Sequence, residues 1–266
     1  MYFTINDSKY WYEVNGEGEP VLLLHGFTGT TATWSSFVED WAKKYKVIMV
    51  DLPGHGKTDA FAPWSMDVFC ADLVSFLNHL QLEKVHLVGY SLGGRTALSF
   101  TVFYPERVKS LILESASPGL ELASERENRI HNDEQLAQRI EQDGMESFVD
   151  YWEMIPLFRT QDKLSSEMKR KIRDERLSQS AKGLAQSLRF MGTGSQPSWW
   201  DRLKDLTVPV LLLAGELDDK FIGINKKMFY RMPSADLTIV EDSGHAIHVE
   251  QPRIFGKIVN GFFTNH

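Results

Sequence analysis

Ser91 stands in Gly89-Tyr90-Ser91-Leu92-Gly93, a G-x-S-x-G arrangement between the apolar run Val85 to Val88 and a helical pattern opening at Gly93 and Gly94. A strand that turns directly into a helix holds its serine in a strained, exposed conformation. Side chains at Gly89 or Gly93 would collide with neighbouring chain. The turn lifts the hydroxyl clear and aims the first helical N–H groups at whatever the serine meets, which suits developing negative charge. A serine needs a base to become reactive, and the base needs a carboxylate to orient it. The chain offers both in the order serine, acid, histidine. Gly215-Glu216-Leu217-Asp218-Asp219 follows an apolar run ending at Ala214, and Ser243-Gly244-His245 follows one ending at Val240. Asp218 is the expected acid, with Asp219 and Glu216 left open by spacing, and His245 is the expected base. His25-Gly26-Phe27 closes an early strand, where the Phe27 N–H would join that of Leu92 as a second donor to an oxyanion. His245-x-x-His248-x-Glu250 has a spacing that zinc can use, but no further ligand spacing supports it.

The elements that must position these residues follow from periodicity. Tyr2 to Ile5 and Tyr10 to Val14 predict a hairpin, and Val21 to Leu24, Val47 to Val50, Val85 to Val88 and Val108 to Leu113 predict strands. Between them lie helical patterns over Thr33 to Lys44, Met66 to Leu80 and the stretch after Ser91, which Pro105 closes. Strand alternating with helix means a parallel sheet with right-handed crossovers. From about Leu120 to about Leu206 the pattern is helical only. The sheet resumes with Val208 to Ala214 and Leu237 to Val240, with helices over Ile222 to Met232 and Val249 to Phe263. The expected organisation is therefore a core of residues 1–119 and 207–266, carrying residues 120–206 as an inserted helical lid. An insertion at the carboxyl ends of strands lands over the site of an open α/β sheet.

The 266 residues, 42% hydrophobic and 24% charged, fit one soluble α/β domain with an insertion. A net charge of −7 excludes nucleic acid as a bulk electrostatic partner. It does not exclude an anionic small molecule met by a local arginine cluster. The single cysteine, Cys70, reads as a core residue in a reducing compartment. The amino terminus shows no signal-peptide pattern and no apolar run is long enough to span a membrane, so a cytoplasmic protein without membrane contact is expected. No metal, nucleotide or flavin motif appears, so no cofactor is expected. A monomer or weak homo-oligomer is expected.

His-Gly-Phe-x-Gly from His25, Asp-Leu-Pro-Gly-His-Gly from Asp51, Gly-Tyr-Ser-Leu-Gly-Gly from Gly89, Gly-Glu-x-Asp from Gly215 and Ser-Gly-His from Ser243 run in order along the chain. Together they resemble the α/β-hydrolase superfamily. This implies an α/β-hydrolase fold with a mostly parallel eight-stranded sheet. A narrower resemblance is to the menaquinone-pathway synthases that form 2-succinyl-6-hydroxy-2,4-cyclohexadiene-1-carboxylate. It rests on Arg95 directly after the elbow, Glu114 with Ser117-Pro118-Gly119-Leu120, Glu125-Arg126-x-x-Arg129 with Asp133, and Gly244-His245-x-x-His248-x-Glu250. Such enzymes are lyases. The resemblance implies elimination of pyruvate from 2-succinyl-5-enolpyruvyl-6-hydroxy-3-cyclohexene-1-carboxylate, whose three carboxylates call for several cations. It implies Arg95, Arg129 and Arg176 in that task, with His25, Tyr90, Trp152 and Phe158 also against the substrate. On spacing alone, Glu125 and Arg129 also read as an i,i+4 surface pair and the two aromatics as lid core. A carboxylic-ester or thioester hydrolase with the same three residues is the alternative activity.

Overall fold

The apolar runs become strands of one sheet in the computed structural model, which describes residues 1–60 and 63–266. These are β1 (Tyr2–Ile5), β2 (Ser8–Asn15), β3 (Glu19–Leu24), β4 (Tyr45–Val50), β5 (Val85–Tyr90), β6 (Val108–Glu114), β7 (Val210–Gly215) and β8 (Ala235–Val240). They form an eight-stranded sheet in the order β1-β2-β4-β3-β5-β6-β7-β8. The hairpin β1–β2 joins antiparallel and the other six strands run parallel. Both faces are covered, so the central strands are apolar without alternation. Leu22 and Leu24 meet Phe69 and Leu73 of α2 (Met66–His79) and Ala97 and Leu98 of α3 (Leu92–Phe103). Val21 and Leu23 meet Phe37 of α1 (Ser35–Trp41) and Phe255 and Val259 of α9 (Pro252–Asn265) on the other side.

Three helices differ from the sequence expectation, each for a local reason. The expected helix over Thr33 to Lys44 is a 3-10 turn, Thr31–Trp34, followed by α1. Thr30 starts it early, because its hydroxyl caps Ala32 N–H. The helix expected over Ile222 to Met232 is α7 (Asp219–Phe229), since Asp218 caps the Phe221 N–H. The last expected helix splits into α8 (Ile247–Glu250) and α9, because Pro252 cannot continue a helical ladder.

Between β6 and β7 the chain forms α4 (Ala123–Glu153), α5 (Ser166–Leu177) and α6 (Ala181–Met191), with no strand. This insert has its own core, where Ala137, Ile140 and Phe148 of α4 meet Leu184 and Leu188 of α6. Its neck is tied by Trp199 N–H to Pro118 O, 2.7 Å, and Trp200 Nε1–H to Gly119 O, 3.0 Å. Among the described residues no helix is long and apolar enough to cross a membrane.

Candidate active site

Strand register brings the reactive groups together. Leu24 pairs with Gly89, Tyr90 with Glu114, Glu114 with Leu213, and Gly215 with Val240. The loops after β3, β5, β7 and β8 therefore leave the sheet side by side. The chain steps from β3 outward to β4 and returns on the other side to β5, which opens a crevice at the carboxyl ends.

Ser91 has φ 50° and ψ −105°, a left-handed conformation that costs a non-glycine residue about 1–3 kcal/mol. It is held there by its N–H, donated to Glu114 O at 2.9 Å. Gly93 is obligatory because a Cβ there would run into the carbonyls of Leu24 and His25. His245 Nε2 lies 3.1 Å from Ser91 Oγ, and its Nδ1 lies 2.8 Å from Asp218 Oδ2. The carboxylate can only accept, so Nδ1 carries the proton and the Nε2 lone pair receives the serine O–H. His245 is 1% exposed and Asp218 7%, and Phe221 packs on the imidazole at 4.6 Å. The acid left open by spacing is thereby identified geometrically. Asp219 and Glu216 are exposed, and Glu216 instead accepts the Asp242 N–H.

Phe27 and Leu92 emerge beside the serine, and among the described residues neither N–H is donated to an acceptor. His25 does not border the cavity, contrary to the expectation that it touches substrate. It is fully buried, its Nε2 accepts the Leu52 N–H at 3.0 Å, and its Nδ1 donates to Gly26 O at 2.8 Å. It holds the loop that carries Phe27. Burial pushes His25 down to about 4 and the neighbouring His55 to about 3, so both are neutral.

A cavity of about 310 Å³ lies between the strand ends and the insert. Ser91, His245, Arg95, Arg129, Tyr90 and Trp152 all line it. Arg95 Nη1 donates to Met191 O at 2.9 Å and Gln196 Oε1 at 2.5 Å. Burial, then repulsion from Arg129, push it down to about 9, against the pull of Asp133, so it stays charged at neutral pH. Arg129 Nε donates to Asp133 Oδ1 at 2.7 Å, so its pair partner is Asp133 rather than Glu125. Burial raises the Asp133 carboxyl despite Arg129. Arg126 is absent from the cavity lining.

Arg176 is separate. It borders a neighbouring pocket, with Tyr90 and Phe158 forming a wall common to both. Its guanidinium stacks 4.9 Å over Phe158 and reaches Glu153 Oε1 at 3.4 Å. Burial lowers its pKa, opposed by Glu153. Trp152 packs on Phe27 at 5.4 Å and Phe158 at 5.8 Å, so these two aromatics of the insert are both packing and cavity wall. Sequence reasoning missed Lys220 and Lys227, which also line the main cavity. The signal was present: Lys220, Ile224 and Lys227 fall at i, i+4 and i+7 along α7, directly after the acid.

The H-x-x-H-x-E residues diverge. His245 pairs with Asp218, His248 Nδ1 with Glu114 at 2.9 Å, and Glu250 accepts the Gly244 N–H at 2.8 Å. Among the described residues no group of three or more His, Cys, Asp or Glu is arranged to hold a metal ion.

Comparison with known proteins adds to this geometry. The family model for the alpha/beta hydrolase fold matches residues 19–252. A Bacillus subtilis (strain 168) protein, provisionally named as a 2-succinyl-6-hydroxy-2,4-cyclohexadiene-1-carboxylate synthase, is 47% identical over 96% of this chain and 95% of its own length. The solved structure of MenH from S. aureus superimposes with a TM-score of 0.92 at 37% identity, covering 96% of this chain and 98% of that one. A thermophilic esterase from Thermogutta terrifontis, with malate bound, gives 0.86 at 28% identity, covering 97% and 94%. The sheet order, the serine elbow and these matches agree, and the chain belongs to the alpha/beta hydrolase fold family and, within it, to the 2-succinyl-6-hydroxy-2,4-cyclohexadiene-1-carboxylate synthases.

Proposed function

We propose that the chain is a carbon–oxygen lyase of menaquinone biosynthesis, eliminating pyruvate from 2-succinyl-5-enolpyruvyl-6-hydroxy-3-cyclohexene-1-carboxylate. The observation that carries this reading is the pairing of Arg95 and Arg129 with Ser91 and His245 in one cavity. An ester hydrolase needs the serine and histidine. It does not need two guanidiniums beside them that share the Asp133 carboxylate, whereas a substrate with several carboxylates uses both.

In this reading His245, oriented by Asp218, draws the proton from Ser91. The serine oxygen takes a proton from the carbon beside the succinyl ketone. The enolate oxygen rests on the N–H groups of Phe27 and Leu92. The enolate electrons then form a ring double bond from that carbon, the existing ring double bond shifts one position towards the carbon bearing the enolpyruvyl group, the carbon–oxygen bond there breaks, and the departing enolate becomes pyruvate on protonation. No acyl-enzyme forms. Residues 120–206 act as a lid on the core of residues 1–119 and 207–266, with Arg176, Trp152 and Phe158 contacting substrate from the lid and Tyr90 from the core. The protein works in the cytoplasm on a small anionic substrate, as a monomer or weak homo-oligomer.

The test is pyruvate release from substrate generated by the preceding enzyme. The parent should turn over rapidly, and Arg95→Ala should lower kcat/KM about 10- to 100-fold, the loss of one or two charged hydrogen bonds. A parent no faster than the spontaneous reaction would sink the assignment. The serine–histidine–aspartate chain itself favours a second reading, hydrolysis of an ester or thioester through an acyl-serine. Accumulation of a covalent adduct with an activated ester would support it.

A further inference from the structure

Glu114 and His248 lie beside the reactive serine, yet the chemistry above gives neither a task. Glu114 is fully buried and His248 nearly so. A buried carboxylate is costly unless paired, so its retention needs a reason. The contacts supply one. The Glu114 main-chain oxygen accepts the Ser91 N–H at 2.9 Å. Its side chain accepts the His248 N–H at 3.0 Å, and both its oxygens lie 2.9 Å from His248 Nδ1. A single residue thus grips the strained serine turn on one side and the loop bearing the base on the other. The His248 ring stands edge-on to Tyr90 at 4.6 Å, and Tyr90 packs against His245 at 5.5 Å. From the far end Glu250 takes the N–H groups on either side of His245, Gly244 at 2.8 Å and Ala246 at 3.4 Å.

We infer that Glu114 and His248 form a positioning pair, backed by Glu250, which fixes the distance between Ser91 Oγ and His245 Nε2. No regular element does this, because Gly244 and His245 precede the four-residue helix α8. Misplacement of a reacting pair by about 1 Å can cost on the order of 10²-fold in rate.

The inference rests on the serine–histidine–aspartate reading and not on the substrate. Its test is therefore the rate at which a fluorophosphonate labels Ser91, alongside kcat and KM for pyruvate release. Glu114→Gln and His248→Gln should each slow labelling and kcat by roughly 10- to 100-fold with KM within about threefold. The double variant should be no worse than the more impaired single one, since each breaks the same contact. Should Glu114→Gln fail to fold, His248→Gln and Glu250→Gln carry the measurement. Labelling at the parent rate in the folded variants would overturn the inference alone. A raised KM with kcat kept would do so too, making His248 a binding group. A parent that resists labelling would overturn the serine reading and the inference together.

Discussion

The floor of the site and the helical insert above it are built on different principles. In the floor each reactive group hangs from a strand end, and the backbone leaves little choice of position. Ser91 is locked by Gly89, Gly93 and one N–H bond, and Asp218 serves at once as helix cap and histidine partner. The insert is three helices joined by a small apolar core and by surface charge. Arg189 of α6 grips Glu134 and Glu141 of α4, and Arg173 of α5 grips Asp150 and Glu153 of α4. Such pairs are partly solvated and individually weak. Geometry is exacting where bonds change and forgiving where charge is merely presented.

That contrast can be broken from either side. The largest effect belongs to the floor: Ser91→Gly should reduce turnover by on the order of 10³-fold or more. The same substitution should raise stability by about 1 kcal/mol in a denaturant titration, because glycine accepts φ 50° without strain. Unchanged stability would mean that the serine turn stores nothing.

Acid separates the two regions next. His25 and His55 titrate at about 4 and about 3 when folded, against about 6.5 in the unfolded chain. Between these limits the unfolded chain binds more protons, so stability is complete above about pH 6.5 and falls as pH drops towards 4. Each buried histidine contributes roughly 1–3 kcal/mol to that loss. The insert's one histidine, His131, is exposed. Hydrogen exchange at pH 5 should therefore rise at residues 25–29 and 51–56 before it rises in α4 or α6. Simultaneous loss of protection would erase the distinction. The smallest effect is in the insert: Arg189→Ala should cost about 1 kcal/mol in thermal unfolding and leave the labelling rate of Ser91 intact.

The two regions also differed in how far the sequence could be read. Gly-x-Ser-x-Gly and the histidine after β8 are marked by their order along the chain, whereas the choice of Asp218 over Asp219 and Glu216 needed the His245 Nδ1 contact. His25 misled because His-Gly at a strand end carries no mark of which way the imidazole turns. Only the Leu52 N–H from the adjacent loop decides it. Arg176 was harder to place: it borders a pocket that shares the Phe158 and Tyr90 wall with the main cavity, a long-range packing outcome that helical spacing does not encode. The break in α4 at Gly144, φ 80°, likewise lay outside what periodicity predicts.

The neck of the insert has a consequence for ancestry. Pro118 and Gly119 meet Trp199 and Trp200 through two hydrogen bonds, so about 80 residues enter and leave the core through one gate. A lineage can replace everything beyond that gate without rewriting a single strand. Descent with exchange of a detachable roof would let one serine-bearing base pass from cleaving esters to expelling pyruvate.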